Sequence, residues 1–252
     1  MSGKVWLIGA GPGDAELLTL KALRVLQACD VWLVDDLVGR DILDFARPGT
    51  RIVPVGKRGG CKSTPQAFIL RLMARYARQG RQVARLKGGD PFIFGRGGEE
   101  WAWLAERGVA VEAVNGITAA FAAGADLGLP LTHRGVARGV ALVTAHTQDG
   151  SQPDWAALAH SRLTVVCYMG MAGLPQLVPQ LLAAGFAANL PVAVVHRAGC
   201  REQQHLVTTL AHLQADVAAS GLASPAVIIL GEVVDHAMKI ALPAAEAGSA
   251  VA

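Results

Sequence analysis

The sequence is poor in the residues and patterns that a metal site, a redox dithiol or a membrane span would require. Its 252 residues include only four cysteines, Cys29, Cys61, Cys167 and Cys200, with no CxxC pair among them. That spacing suggests neither a zinc site nor a dithiol, and reduced thiols in a cytosolic protein are the simple reading. The histidines show no H-x-x-x-H or other ligand spacing, so no metal is expected. Charged residues make up only 17% of the chain and the net charge is +3. That net charge is too small, and the basic residues are too scattered, to argue for nucleic acid. The N-terminus offers one lysine and a short apolar run from Val5 to Ala10, too short for a signal peptide. The stretch from Leu163 to Val195 lacks Asp, Glu, Lys and Arg and is long enough to cross a bilayer. Pro175, Pro179 and Pro191, three glycines and three amides break it, however, and no membrane span is expected. No G-x-S-x-G elbow marks a hydrolase, and no G-x-x-x-x-G-K-[ST] loop marks an ATPase.

What the chain has is apolar bulk. With 52% hydrophobic residues it can bury a large core, and its length suggests two domains. Short runs of Val, Ile and Leu recur at 5–8, 31–34, 52–55, 83–86 and 111–114, and read as buried strands. Helical spacing lies between them at 20–28, at 66–78 after the Ser63-Thr64-Pro65 start signal, and at 98–107. The alternation restarts after Asn115-Gly116, with strands at 140–144, 164–168, 192–196 and 226–230 and helices at 118–127, 174–184, 210–219 and 233–240. The expectation is therefore an α/β domain over 1–114, a second over 115–242 and a loose tail over 243–252, each domain carrying a mostly parallel sheet flanked by helices.

Two glycine loops stand out. Gly9-Ala10-Gly11-Pro12-Gly13-Asp14 follows the first strand like a dinucleotide fingerprint, and Asp35 ends the second strand where a ribose-binding acid would lie. Asp14 nevertheless occupies the position of the third glycine, and Pro12 stiffens the turn, so a nicotinamide enzyme is disfavoured. The stronger signal runs from Arg85 through Leu86-Lys87-Gly88-Gly89-Asp90-Pro91-Phe92-Ile93-Phe94-Gly95-Arg96-Gly97-Gly98 to Glu99-Glu100. Its glycines let a ligand lie against open backbone, and Asp90 can accept hydrogen bonds from an amine or hydroxyls.

These segments, together with VWLIGAGPGDAELLTLKAL at 5–23, DDLV at 35–38, GKR at 56–58, NGITAA at 115–120, GLPLTHR at 128–134 and YMG at 168–170, resemble the uroporphyrinogen-III C-methyltransferases of the tetrapyrrole methylase family. The likeness runs from about Val5 to Ile240. It implies the two-domain tetrapyrrole methylase fold, S-adenosylmethionine as methyl donor bound in the cleft between the domains, uroporphyrinogen III as substrate, and a cytoplasmic homodimer. By carry-over, Pro12, Gly88, Gly89, Asp90, Ile93, Thr118, Ala119 and Met169 would contact the donor, with Ala198 and Ala226 less securely placed. For Thr118, Ala119 and Met169 ordinary packing is the plain alternative. Asp35, Lys57, Arg96, Glu99 and Arg134 are the implied catalytic set. The sequence departs from the family at Val34, where a tyrosine usually precedes Asp35.

The implied chemistry assigns roles. Methylation of a pyrrole carbon leaves a proton to be removed, which calls for a general base. Asp35 is the first choice. Arg96 is a second only in an unusual environment, since arginine stays protonated. A substrate with eight carboxylates demands fixed cations, for which Arg58, Arg96, Arg134 and Lys57 are candidates, with Arg138 an addition. His133 could bond a substrate carboxylate or only cap a loop. Glu99 would orient Arg96. Product formation through precorrin-1 to precorrin-2 would feed cobalamin, siroheme or heme d1 synthesis, and the dehydrogenase and chelatase steps of a fused siroheme synthase would lie elsewhere. The alternatives are a sibling methylase acting on a later precorrin, and a non-catalytic protein that binds the donor or a tetrapyrrole.

Overall fold

The computed structural model describes residues 3–56, 64–145 and 150–241, so Lys57, Arg58 and the expected tail lie outside the described residues. The chain forms two compact units. One comprises 1–119 together with Gly199–Arg201, and the other comprises Ala120–Ala198 and 202–252.

In the first unit the elements run β1 (Lys4–Gly9), α1 (Leu20–Ala28), β2 (Val31–Val34), a 3-10 helix at Arg40–Phe45, β3 (Arg51–Pro54), α2 (Gln66–Arg78), β4 (Gln82–Lys87), α3 (Gly97–Ala105) and β5 (Ala110–Val114). The strands form one parallel sheet in the order β3-β2-β4-β1-β5. Side chains alternate between its two faces, and both faces are covered. On one, Ala22, Val25 and Leu26 of α1 bury against Ile8, Trp32, Ala84 and Leu86. On the other, Ile69, Met73 and Ala77 of α2 and Leu104 of α3 bury against Val5, Leu7, Val31 and Val83. Each such fully buried Leu or Met contributes about 1.5–3 kcal/mol relative to exposure. The start of α1 is fixed by Thr19, whose hydroxyl accepts from the Ala22 N–H at 3.1 Å.

In the second unit, α4 (Ala119–Asp126) continues from the last residue of the first, followed by β6 (Val140–Thr144), α5 (Trp155–Ser161), β7 (Thr164–Tyr168), α6 (Leu174–Ala183), β8 (Pro191–His196), β9 (Gln204–Thr209), α7 (Leu213–Ser220), β10 (Ala226–Leu230) and α8 (Val233–Ala241). The sheet order is β6-β7-β10-β8-β9. The expectation of a mostly parallel sheet holds for the first unit and is corrected here for the second: only β6 and β7 pair in parallel, while β7-β10, β10-β8 and β8-β9 are antiparallel. The cause is β9, a polar segment that is not among the strands expected from the sequence. It follows β8 across 197–203, too short a connection for the crossover that a parallel neighbour needs, so the chain must turn back. After α7, β10 then enters between β7 and β8 in the reversed direction. The uncharged stretch at 163–195 becomes β7, α6 and β8, and among the described residues no helix is long and apolar enough to cross a membrane.

Candidate active site

Because every strand of the first sheet points the same way, the segments after β1, β2, β4 and β5 all emerge at its carboxyl edge. Those segments hold Gly9–Asp14, Asp35, Gly88–Asp90 and Asn115–Thr118. Ligands of open α/β sheets bind at this edge, where neighbouring strands send their connections in opposite directions. The central pair β1 and β4 meets that condition, since β1 connects through α1 to β2 on one side and β4 through α3 to β5 on the other.

At this edge three backbones cross. Gly11 and Gly89 exchange hydrogen bonds, N–H to C=O at 3.2 and 2.6 Å, and Gly89 takes φ +69°, which suits glycine. A Cβ on Gly116 would stand 2.3 Å from the Gly89 carbonyl oxygen and 2.8 Å from Gly9 Cα. One on Gly88 would stand 2.6 Å from Leu37 Cβ. The Asp90 carboxylate binds the crossing together, its Oδ1 accepting from the Phe92 N–H at 2.8 Å and its Oδ2 from the Gly116 N–H at 3.0 Å. Ile93 closes the same turn through its N–H to the Asp90 carbonyl at 3.3 Å. Pro12 lies in the facing loop, half-buried, with its carbonyl 3.5 Å from Cys200 Sγ. The first loop does not run straight into a helix, for Asp14 caps a 3-10 turn at Ala15–Leu17 and α1 begins only at Leu20. The phosphate cradle of a dinucleotide site is therefore not formed there. Gly116→Ala is expected to lower stability by about 1–3 kcal/mol through the backbone collision. Thermal unfolding checks this, and an unshifted transition would show that the crossing tolerates a side chain.

Asp35 follows β2 at the same edge. Its N–H donates to the Leu86 carbonyl at 3.2 Å, and its side chain is 36% exposed above a buried ionic group. Arg85 and Lys87 occupy alternate positions of β4 on the face covered by α2 and α3, at 2% and 5% side-chain exposure, and Glu100 of α3 is 0% exposed. Arg85 Nη2 donates to Asp35 Oδ2 at 3.0 Å and Nε to Glu100 Oε1 at 3.2 Å, while Nη1 reaches the Leu86 carbonyl at 3.2 Å. Lys87 Nζ lies 3.2 Å from Glu100 Oε1 and 4.0 Å from Asp35 Oδ2. Gln66 Nε2 of α2 donates to the same Glu100 oxygen at 2.9 Å. Removing one member of such a group strands the others, at a cost of about 3–5 kcal/mol. Burial, followed by the Arg85 charge, lowers the Lys87 pKa, against the pull of Glu100 and Asp35. The fold thus gives up the lysine proton before the unfolded chain does, and stability rises with pH between the depressed folded value and the ordinary lysine value. Lys87→Met should flatten that alkaline rise in denaturant titrations run across the window, and an unchanged slope would contradict it.

Arg96 and Glu99 sit at the start of α3. Arg96 is its N-cap in the left-handed conformation, φ +59°, two residues after Phe94 at φ +52°. Non-glycine residues held so cost about 1–3 kcal/mol each and gather at functional sites. The Arg96 guanidinium clasps Glu99 with Nη2 at 2.6 Å and Nε at 3.1 Å. That bond raises the arginine pKa and lowers the glutamate's. Both side chains are largely exposed, so the pair adds little stability and leaves the guanidinium accessible. Val34, at the family's tyrosine position, is buried in the core on the α1 side. Asp35 instead takes its hydrogen bonds from Arg85 and from the Asp36 N–H at 3.1 Å.

In the first unit Thr118 is buried and Ala119 half-buried. In the second unit, Met169, Ala198 and Ala226 lie together at one end of the sheet, after β7, after β8 and at the start of β10. Met169 is 50% exposed at φ +56°. His133, Arg134 and Arg138 line an open cavity of about 540 Å³ with Thr132, Gly135 and Ala137. His133 closes the turn beneath it, exchanging backbone hydrogen bonds with Ala137 at 2.9 and 3.0 Å. Its ring packs on His236 with centroids 3.9 Å apart. Buried Cys29 and Cys167 have their thiols pushed up to about 12 by burial, which keeps them protonated and unreactive. Among the described residues no cluster of His, Cys, Asp and Glu could hold a metal.

Arg85, Lys87 and Glu100 were not among the candidates read from the sequence. A signal was there: two cations at alternate positions of a strand buried on both faces require an anion, and the next helix opens with two acids, Glu99 and Glu100, of which Glu100 is the buried one.

Residues 4–214 match the model of the family described as Tetrapyrrole (Corrin/Porphyrin) Methylases. The chain is 57% identical over 233 residues to a uroporphyrinogen-III C-methyltransferase of Pseudomonas aeruginosa, covering 92% of this chain and 95% of that one. It is 49% identical over 240 residues to a siroheme synthase of Chromobacterium violaceum, covering 95% of this chain and 51% of that longer protein. Among solved structures, a uroporphyrin-III C-methyl transferase from Thermus thermophilus complexed with S-adenyl homocysteine superposes with a TM-score of 0.78 at 42% identity, covering 92% of this chain and 93% of that one.

Proposed function

Because the chain belongs to the tetrapyrrole (corrin/porphyrin) methylases, we propose that it transfers methyl groups from S-adenosylmethionine to two carbons, C2 and C7, of uroporphyrinogen III, giving precorrin-2 by way of precorrin-1. The observation that carries the reading is a half-exposed carboxylate, Asp35, gripped from below by a buried arginine and set at the same sheet edge as the glycine crossing.

The residues at that edge suit the donor. Gly88 and Gly89 put no side chain between the backbone and a flat, polar ligand, and Asp90 is already tied to two backbone N–H groups that shape the loop around it. The proposed donor contacts are Pro12, Gly88, Gly89, Asp90, Ile93, Thr118, Ala119, Met169, Ala198 and Ala226. The donor supplies a methyl on a cationic sulfonium, whose charge disappears as the C–S electrons return to sulfur. The protein's part is to hold the two reactants in line and keep water away, worth about 7–11 kcal/mol of barrier when alignment is close. A ring carbon gains the methyl, the ring system is left one proton in excess, and Asp35 accepts that proton. Arg96, oriented by Glu99, and Arg134, with His133 and Arg138 beside it, are assigned to substrate carboxylates, as are Lys57 and Arg58 from the family's Gly-Lys-Arg segment.

The test is anaerobic incubation with uroporphyrinogen III and labelled donor, followed by mass analysis of the tetrapyrrole. Two added methyls are expected. No transfer, with the donor still bound in calorimetry, would overturn the substrate assignment and turn attention to later precorrins.

A further inference from the structure

We infer that Glu100, which lies behind the reacting groups, is the positioning residue for Asp35, holding Arg85 and Lys87 so that both cations converge on one Asp35 oxygen. The inference rests on Asp35 as the proton acceptor proposed above.

Glu100 is fully buried, at 0% exposure against 36% for Asp35. Its Oε1 takes Arg85 Nε at 3.2 Å, Lys87 Nζ at 3.2 Å and Gln66 Nε2 at 2.9 Å. The far ends of the two cations are then 3.0 and 4.0 Å from Asp35 Oδ2. All of the Arg85 fork is committed: Nε to Glu100, Nη2 to Asp35 and Nη1 to the Leu86 carbonyl. A guanidinium fixed at three points cannot turn, so the carboxylate it holds is fixed with it. Asp35 Oδ1, held on the other side by the Asp36 N–H at 3.1 Å, completes the alignment. Stability alone does not account for such a cluster. Well-packed apolar residues in the place of buried ion pairs are often neutral or stabilising, whereas pre-set geometry is what a proton acceptor requires.

A double-mutant cycle between Glu100→Gln and Asp35→Asn tests this. Glutamine suits the purpose because, among the described residues, no donor reaches Glu100 Oε2, so the new amide displaces no hydrogen bond there. Glu100→Gln is expected to lower kcat by about 10- to 100-fold with donor affinity unchanged, and to cause no further loss when added to Asp35→Asn, because it acts only through that carboxylate. Full multiplication of the two losses, or activity within twofold of the parent, would overturn the inference. If thermal unfolding shows Glu100→Gln to be misfolded, Arg85→Lys, which keeps the charge and loses the fork, is put through the same cycle under the same criteria. Asp35→Asn with full activity would overturn the proton-acceptor role itself, and with it the inference. A drop in Asp35→Asn combined with additivity would overturn the positioning role alone.

Discussion

Asp35→Asn is expected to leave the donor bound and to lower kcat by about 10²–10⁴, the range that a positioned proton acceptor supplies. The asparagine is nearly the same size and can still accept from Arg85 Nη2, so the cluster beneath keeps its packing. What it cannot do is take up a proton from the methylated macrocycle. Calorimetry with the donor and single-turnover methyl transfer separate the two steps. Unchanged turnover would move the acceptor role away from Asp35.

Arg96→Gly is expected to abolish product formation, by about 10²-fold or more, in a protein no less stable than its parent. The reasoning joins two observations. Arg96 caps α3 in a left-handed conformation that costs a side-chain-bearing residue about 1–2 kcal/mol and costs glycine almost nothing. Its guanidinium spends Nε and Nη2 on Glu99, and among the described residues nothing takes Nη1, which is left for a substrate carboxylate. Arg96→Ala should show the same loss of activity with unchanged donor binding but without the conformational relief. Turnover close to that of the parent in either variant would remove Arg96 from the substrate site.

Much of the first unit was legible because its determinants are local. The apolar runs at 31–34 and 83–86 fall within β2 and β4, and α1 and α2 occupy the ranges that their periodicity marks out, with a start signal before α2. The second unit was less legible where sequence lost its contrast. Residues 204–209, Gln-His-Leu-Val-Thr-Thr, show neither a long apolar run nor a strict alternation, yet they pair along β8 and set the direction of half the sheet. The helix at Trp155–Ser161 was missed for a related reason: it is short, and its clearest mark is the Asp154 carboxylate accepting the Ala157 N–H at 2.9 Å. At the candidate site, Asp35, Arg96 and Glu99 could be named from family likeness. The ionic group beneath Asp35 could not, since it joins residues from α2, β4 and α3 that only the folded sheet brings within 3.2 Å of one carboxylate oxygen.

The segment Gly199–Arg201 counts with the first unit although it is encoded 80 residues beyond that unit's main stretch. The Asp14 N–H finds its acceptor only there, on the Gly199 carbonyl at 2.7 Å. A nascent chain emerging from the ribosome therefore cannot complete the turn that follows the first strand until nearly four-fifths of the polypeptide has been made, long after the last strand of the first sheet has been synthesised.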